Sequence, residues 1–246
     1  PDFGRTSLTG KAMMGQTFFE IESIKRLPGI EAEGIYTHFA CADHADKTHV
    51  RSQMERFSEF LEKLWVSGFE FAIRHAANSA AVMELPESHL DMVRCGIALY
   101  GLYPSSEINQ QKVELRPAMR FSSQVIHVKS VPAGFSVSYG ATYETSNPTT
   151  IATVAAGYAD GVSRHLSNKG RVLVQGESAP IIGRVCMDLI MIDVGHIPFI
   201  EVGDEVVFFG RQGEAFISAD EVAGHIDTIN YEVVTSISKR VPRFYH

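Results

Sequence analysis

The most regular hydrophobic pattern in the chain lies between residues 48 and 66, where apolar side chains recur every three or four positions. This spacing places them on one side of a helix, so the segment is predicted to be an amphipathic helix with its apolar face turned inward. Gly68 follows and is typical of the residue at which a helix ends. The apolar positions are Val50, Met54, Phe57, Phe60, Leu61 and Leu64.

Three further segments, on either side of this helix, carry strand-type patterns. Residues 31–39 are rich in strand-forming residues toward their end, and residues 69–75 follow as the next strand candidate. Residues 92–102 are nearly all apolar, as expected for a parallel strand that is covered on both faces. Strand, helix and strand at this spacing form a βαβ unit, so the first part of the chain is predicted to be an α/β structure.

The pattern changes near Pro104, where the polar segment 104–111 is predicted to be a linker. Beyond it, short strand-type runs alternate with glycine and proline turns, which predicts a mainly antiparallel second domain. Ser218 and Glu221 have the spacing of a capping box and predict a short helix over residues 218–225. The predicted domains are residues 1–113 and 114–246. The expected strands of the second domain are residues 122–131, 149–156, 171–175, 181–194 and 205–209.

Composition excludes several kinds of partner and site. The 246 residues carry a formal net charge of −7 and no Lys/Arg cluster, so neither nucleic acid nor an anionic membrane is expected as a partner. No apolar run approaches the roughly 20 residues that span a bilayer. Cys41, Cys95 and Cys186 are scattered and odd in number, which favours a reducing, cytoplasmic location. No pair of them has zinc-ligand spacing, so no metal site is expected.

Polar residues suited to catalysis or ligand binding lie at the C-terminal ends of the predicted strands of the first domain. His38 lies at the C-terminal end of one predicted strand, and residues 75–79 lie at the C-terminal end of the next. In an α/β barrel this end of the strands carries the active site, and glycine-containing segments there suit phosphate binding through backbone N–H groups. These features predict an enzyme, although the pattern alone names no reaction.

Seven short runs belong together by their order and spacing. They are residues 75–81 (HAANSAA), 91–102 (DMVRCGIALYGL), 137–143 (VSYGATY), 156–164 (AGYADGVSR), 183–188 (GRVCMD), 228–233 (TINYEV) and 240–243 (RVPR). Over about residues 31–243 the chain resembles the alanine racemase family, whose members use pyridoxal 5'-phosphate (PLP). The resemblance implies the last part of an α/β (TIM-like) barrel, followed by a mainly antiparallel β domain. It also implies a homodimer that shares its active sites across the subunit interface.

The activity that the resemblance implies is interconversion of L-alanine and D-alanine, which supplies D-alanine for peptidoglycan. Inverting a stereocentre needs one group that removes the α-proton on one face and another that delivers a proton on the opposite face. The family's PLP lysine is one of them and is expected before residue 1, so this chain alone is expected to be inactive. The resemblance makes Tyr139 the other group, acting in the partner's site; with an ordinary pKa of about 10 it needs help near neutrality. Without the resemblance, Tyr139 would be taken for a half-buried strand residue.

Cofactor binding is assigned by the resemblance to residues around the strand ends. Arg94 is expected to donate a hydrogen bond to the pyridine nitrogen of PLP, with His38 beside it to orient it; a salt bridge at the barrel rim is the alternative for Arg94. A guanidinium stays charged and only donates, so it would keep that nitrogen unprotonated. Ser79 is expected to bind the phosphate, although it could also cap a helix. The other expected contributors are Asn78, which supports the loop, Tyr231, and the N–H groups of Gly96 and Ile97.

The substrate side of the site is assigned to the second domain and to the start of the chain. Met187 and Asp188 are expected to line the substrate entrance across the dimer interface. Tyr158 and Arg164 are expected to gate or orient the same region, and Arg164 is a candidate to polarise Tyr139. Cys186 is grouped with these surrounding residues. Arg5 follows Asp2-Phe3-Gly4 and is either the family's cofactor- or substrate-contacting arginine or merely a terminal residue.

Three alternatives to alanine racemisation stay open at this point. A relative with the same machinery could act on serine or on a broad range of amino acids, and side-chain volume near Met187 and Tyr231 would decide. A noncatalytic PLP barrel protein would not need the SYGATY and GYADG runs. A PLP-dependent decarboxylase of related architecture would not be expected to share the GRVCMD run or the surroundings of Arg94.

Overall fold

A computed structural model describes residues 11–245, with side chains from residue 17 onward. The chain divides into two compact units between Ala118 and Met119. Within the described residues, no helix is both long and apolar enough to cross a membrane. Arg5 lies outside the described residues.

The first unit is built around a small parallel sheet. Its three strands lie in the order β1-β2-β3, and both pairings are parallel, as the predicted βαβ unit requires. A long helix connects β1 to β2, and a short one follows β2 directly. The elements are α1 (Lys11–Lys25), β1 (Gly34–Tyr36), α2 (Thr48–Val66), β2 (Ile73–Asn78), α3 (Ser79–Glu84) and β3 (Met92–Arg94).

Helix α2 confirms the helix predicted from hydrophobic spacing, with the same limits. Val50 and Phe57 are buried and share a core with Ala76, Ala77 and Phe39 of the sheet and its loops. Removing an apolar side chain of this size from water stabilises the fold by about 1.5–3 kcal/mol. Beyond the helix, Gly68 has φ +80°, the left-handed conformation that commonly follows a helix C-terminus.

The strands of this unit are shorter than their patterns predicted. The first two predictions, 31–39 and 69–75, become three-residue β1 and a β2 that begins later and continues to Asn78. The prediction of one strand over residues 92–102 is wrong after Arg94, because the chain turns into a 3-10 helix, Ile97–Tyr100. The turn is fixed by the Gly96 N–H, which donates to Ser79 Oγ instead of continuing the strand ladder.

The second unit is dominated by a seven-stranded antiparallel sheet. Its order is β12-β11-β4-β7-β10-β9-β8, and an additional pairing of β11 with β8 closes six of the strands into a ring. A short hairpin, β5 (Ser136–Val137) with β6 (Tyr143–Glu144), packs Val137 against Val131, Ile151 and Ile182. The remaining strands are β4 (Phe121–Val131), β7 (Thr149–Val154), β8 (Arg171–Val174), β9 (Glu177–Ile182), β10 (Ile190–Asp193), β11 (Glu205–Gln212) and β12 (Ala215–Ile217).

The antiparallel character of this unit is confirmed, but one predicted strand is wrong. Residues 181–194 do not form a single strand; β9 and β10 are antiparallel neighbours separated by a loop over residues 183–189. The loop leaves β9 at Gly183, whose φ of +71° a side chain would oppose. Apolar residues on both sides of this loop concealed the turn within one predicted strand.

Two short helices follow the sheet. The predicted capped helix is present as α4 (Ala219–His225), and Ser218 Oγ accepts a hydrogen bond from the Glu221 N–H at 2.9 Å. The Glu221 side chain does not complete a capping box, because its carboxylate pairs with Arg171. The last helix, α5 (Asn230–Thr235), was not predicted.

Candidate functional site

Arg94 joins the carboxyl ends of the three parallel strands in the first unit. It is the last residue of β3, and its Nη2 donates to the carbonyl oxygens of Thr37 at 2.9 Å and Ala76 at 3.0 Å. Nη1 donates to Nδ1 of His75 at 2.5 Å, and Nη2 lies 3.3 Å from Nδ1 of His38. The structure therefore brings His38 and Arg94 together.

His75 is a member of this cluster to which sequence reasoning gave no role, although it opens the HAANSAA run. Burial and the charge of Arg94 lower its pKa, so the imidazole is neutral near pH 7 and Nδ1 accepts from Arg94. The ring of Tyr36 stacks on His75 with centroids 5.0 Å apart, and the Arg94 guanidinium lies 5.1 Å from the Tyr36 centroid. Tyr36 and His75 thus both contact the guanidinium, Tyr36 through its ring and His75 through a hydrogen bond.

The Arg94 guanidinium carries its charge without an acidic partner among these contacts. Its donors go to two carbonyl oxygens and two imidazole nitrogens. Burial lowers the pKa of Arg94, but a guanidinium remains protonated in proteins. A partly buried cation of this kind favours a ligand atom that accepts a hydrogen bond.

Ser79 gathers backbone donors beside this cluster. It is the first residue of α3 and only 4% exposed, and its Oγ accepts from the N–H groups of Gly96 at 2.8 Å and Ala98 at 3.3 Å. Asn78, rather than Ser79, caps the helix, because its Oδ1 accepts from the Ala81 N–H at 3.1 Å. The Ser79 hydroxyl keeps its own proton to donate, which suits an anionic group at this turn.

In the second unit, Tyr139 stands in a turn between β5 and β6 rather than in a strand. It begins a 3-10 segment, Tyr139–Ala141, and is 76% exposed within this chain. Both neighbours have left-handed backbone: Ser138 has φ +64° and Gly140 has φ +75°. Ser138 Oγ donates to the carbonyl oxygen of Arg184 at 2.8 Å, which ties this turn to the loop between β9 and β10.

The GYADG and GRVCMD runs lie side by side. The N–H of Tyr158 donates to the carbonyl oxygen of Cys186, and that of Ala159 donates to the carbonyl oxygen of Met187, both at 2.9 Å. The side chains of Tyr158 and Met187 remain about half exposed. Three of the residues assigned to the substrate side are therefore neighbours in the structure.

Arg240, from the RVPR run, fastens this pair of loops. Its guanidinium donates to both carboxylate oxygens of Asp160, at 2.6 and 2.9 Å, and to Asp188 at 2.6 Å. Burial would raise the pKa of Asp160, but the hydrogen bonds from Arg240 and the Gly157 N–H outweigh it and hold that pKa below its ordinary value. The same contacts raise the pKa of Arg240.

The other residues assigned to the site from the second unit, Arg164 and Tyr231, lie in short helical segments. Arg164 lies in a 3-10 turn, Arg164–Leu166, and within the described chain its guanidinium does not hydrogen-bond Tyr139. Arg184 lies beside the Tyr139 turn, because a Cβ added at Gly140 would lie 3.5 Å from the Arg184 Nε. Tyr231 lies in α5, one residue after its start.

Comparison with known families matches both units. The model of the alanine racemase N-terminal domain matches residues 15–104, and that of the alanine racemase C-terminal domain matches residues 118–245. An alanine racemase of Desulfosudis oleivorans is 59% identical over 226 residues, which are 92% of this chain and 58% of that protein. Alanine racemase 2 of Caldanaerobacter subterraneus is 49% identical over 96% of this chain and 62% of its own length.

Solved structures give the same result. A Clostridium difficile alanine racemase in complex with cycloserine has a TM-score of 0.87 at 43% identity, covering 94% of this chain and 60% of its own. The Bacillus anthracis alanine racemase with bound L-Ala-P has a TM-score of 0.89 at 42% identity, and the match covers 95% of this chain and 60% of that chain. The predicted fold class, the last part of an α/β barrel followed by an antiparallel β domain, is confirmed. The chain spans about three fifths of the length of the relatives it matches, and it belongs to the alanine racemase family.

Proposed function

We propose that these residues serve PLP-dependent interconversion of L-alanine and D-alanine, which supplies D-alanine for peptidoglycan in the cytoplasm. The observation that carries the proposal is the Arg94 guanidinium, held at the ends of three parallel strands by carbonyls and neutral imidazole. Relatives of this chain carry the name alanine racemase, and the Bacillus anthracis enzyme was solved with L-Ala-P bound.

The first unit suits PLP at two points. The Arg94 guanidinium offers a permanent donor to a pyridine nitrogen, and its partly buried charge lacks an acidic partner in the contacts described above. The Ser79 hydroxyl and the Ile97 N–H offer small donors to a phosphate. We assign two further groups to the phosphate, the Gly96 N–H, which here donates to Ser79 Oγ, and the Tyr231 hydroxyl of the second unit. His38 and Asn78 support the two ends of this arrangement.

Arg94 would also set the protonation state of the pyridine nitrogen of bound PLP. When bound, PLP delocalises the negative charge that remains on the substrate when the α-proton leaves. Because a guanidinium donates and does not give up its proton, the nitrogen that it contacts stays unprotonated. This limits delocalisation into the ring and favours return of the proton to the α-carbon over side reactions.

Tyr139 is proposed as the acid/base group of one face. Its phenol would give a proton to the α-carbon in one direction and its phenolate would take the α-proton in the other, while the family's lysine serves the opposite face. Tyr139 is 76% exposed in the single chain, as suits a residue that acts in the site of a second subunit. The proposal therefore includes a homodimer in which residues 114–246 of one subunit complete the PLP-binding part, residues 1–113, of the other.

The substrate entrance is proposed to form around the paired loops of the second unit. Met187 and Tyr158 expose about half of their surfaces there, and Arg240 holds Asp188 in place. Cys186 and Arg164 are proposed to surround this entrance, and Arg5 to contact cofactor or substrate. We expect the residues around this entrance to enclose the methyl side chain of alanine.

The test is formation of D-alanine from L-alanine. The assay uses residues 1–246 fused to the segment of an alanine racemase relative that they do not match. We call this fusion the completed polypeptide. The expected result is racemisation that requires added PLP, falls by about 100-fold or more in Tyr139→Phe and is retained in Tyr245→Phe, a control at a 92% exposed tyrosine. Unchanged turnover in Tyr139→Phe, or faster turnover of serine than of alanine, would contradict the proposal.

A further inference from the structure

Ser138, the residue before Tyr139, has a backbone conformation that side chains disfavour. Its φ of +64° and ψ of −179° lie in a region that is populated almost only by glycine. A serine there is strained by its own Cβ, so the surrounding structure must hold it. Such strain persists only where neighbouring contacts over-determine the conformation.

Three residues of the loop between β9 and β10 supply that hold. Ser138 Oγ donates to the carbonyl oxygen of Arg184 at 2.8 Å and lies 3.6 Å from Cys186 Sγ. Gly183 packs so closely that a Cβ on it would lie 2.7 Å from Ser138 Cβ and 2.9 Å from the Val137 carbonyl oxygen. The loop between β9 and β10 therefore leaves Ser138 little room to relax.

The direction of Tyr139 depends on this conformation. Val137, on the other side of Ser138, is buried and fixed in the core, whereas Tyr139 is 76% exposed. Little packing within the chain orients the tyrosine, so the backbone that precedes it must do so. Rotation at Ser138 would carry Tyr139 with it while Val137 stayed in place.

We propose that Ser138 is a positioning residue for Tyr139. The strained backbone fixes the direction in which the phenol is presented, and the hydrogen bond to Arg184 keeps the backbone there. The inference rests on the acid/base role proposed for Tyr139. A misplacement of about 1 Å is enough to cost a reaction about 100-fold, so the effect is measurable.

Two substitutions separate the backbone from the hydroxyl. Ser138→Ala keeps the Cβ that causes strain and removes the hydrogen bond, so the turn should relax and kcat of the completed polypeptide should fall about tenfold or more. Ser138→Gly also removes the hydrogen bond but removes the strain with it, so kcat should recover to well above that of the alanine variant. Ser136→Ala, at an exposed serine of β5, is the matched control and should behave as wild type.

The pH profile distinguishes positioning from a general loss of stability. Tyr139→Phe identifies the limb of the kcat/KM profile that belongs to the tyrosine. That limb should move in Ser138→Ala and return in Ser138→Gly, whereas a merely structural role would lower Tm and leave the limb and the kcat of the folded enzyme unchanged. Wild-type kcat in Ser138→Ala, or an equal loss in both variants, would overturn the inference.

Fluorine NMR reports on Tyr139 independently of turnover. In protein labelled with 3-fluorotyrosine, the signal that disappears in Tyr139→Phe belongs to Tyr139; it should shift or split in Ser138→Ala and stay in place in Ser138→Gly. If the Tyr139 signal shifts in Ser138→Ala while Tyr139→Phe racemises alanine at the wild-type rate, Ser138 does position Tyr139 but the proposed function is wrong. If Tyr139→Phe is inactive while Ser138→Ala leaves both signal and kcat unchanged, the inference alone is wrong.

Discussion

Nη1 of Arg94 donates to Nδ1 of His75 at 2.5 Å, which joins the last residue of β3 to the middle of the adjacent parallel strand β2. The contact needs a neutral imidazole, because a protonated His75 would have no lone pair at Nδ1 and would repel the guanidinium. Burial and the charge of Arg94 both lower the pKa of His75 and so maintain the neutral form. The geometry of Arg94 is therefore coupled to the protonation state of its neighbour.

This coupling predicts how stability depends on pH. Since the folded-state pKa of His75 lies below its ordinary value near 6.5, the unfolded chain binds the proton more readily. Below its ordinary pKa, His75 therefore lowers the free energy of unfolding, and the protein becomes less stable as the pH drops from about 6.5. Urea unfolding between pH 7.5 and 5 measures the effect. His75→Gln, which does not titrate, should show a flatter dependence than wild type, and identical slopes would refute the coupling.

Ser79 is predicted to recognise the phosphate of the cofactor rather than its ring. Ser79→Ala removes the hydroxyl that accepts from Gly96 and Ala98, at a cost of about 1–3 kcal/mol in the free energy of unfolding. It should also weaken binding of PLP by about tenfold or more while hardly changing that of pyridoxal, which lacks the phosphate. Titrations of both compounds into the completed polypeptide make the comparison. Equal weakening for the two would assign Ser79 a purely structural role.

Arg240 is predicted to stabilise the second unit and its proposed substrate entrance together. Asp160 is only 14% exposed, so Arg240→Leu leaves a largely buried carboxylate without its guanidinium and should cost about 1–3 kcal/mol. Because Asp188 loses the same partner, KM for alanine should rise more than kcat falls. Urea unfolding and steady-state kinetics measure the two effects.

The control for this prediction is Arg116→Ala. Arg116 pairs with Glu114 in the other unit, with both side chains more than three quarters exposed, and such pairs contribute about 0–1 kcal/mol. If Arg116→Ala and Arg240→Leu lower stability equally, the loops are not fastened by Arg240 in the way described.

The elements that sequence reasoning found are those with a strong local signal. Helix α2 was predicted to its ends because its apolar face repeats with the helical period over five turns. The capped start of α4 was found because Ser218 and Glu221 lie close together in sequence. The nearly continuous apolar run over residues 92–102 carries no such period, so the 3-10 turn after Arg94 was concealed within a predicted strand. The loop at Gly183 was concealed in the same way, because strand-type apolar residues lie on both sides of it.

The candidate site was accessible from sequence only in part. The family resemblance supplied Arg94 and His38, but the role of His75 depends on the register of β2 against β3, which no local pattern contains. The conformation of Ser138 depends on Arg184 and Gly183, more than 40 residues further along the chain. Long-range contacts of this kind become visible only once the strands are paired.

The central claim, that Tyr139 serves one of two opposed proton-transfer groups, is tested most directly by isotope exchange in deuterium oxide. L-alanine and D-alanine are each incubated with the PLP-loaded completed polypeptide, and both loss of the α-proton and inversion are followed by NMR. The account predicts that Tyr139→Phe lowers inversion by about 100-fold or more, while the α-proton of one enantiomer alone still exchanges through the opposite face. Inversion at the wild-type rate, or equal exchange of both enantiomers in this variant, would contradict it.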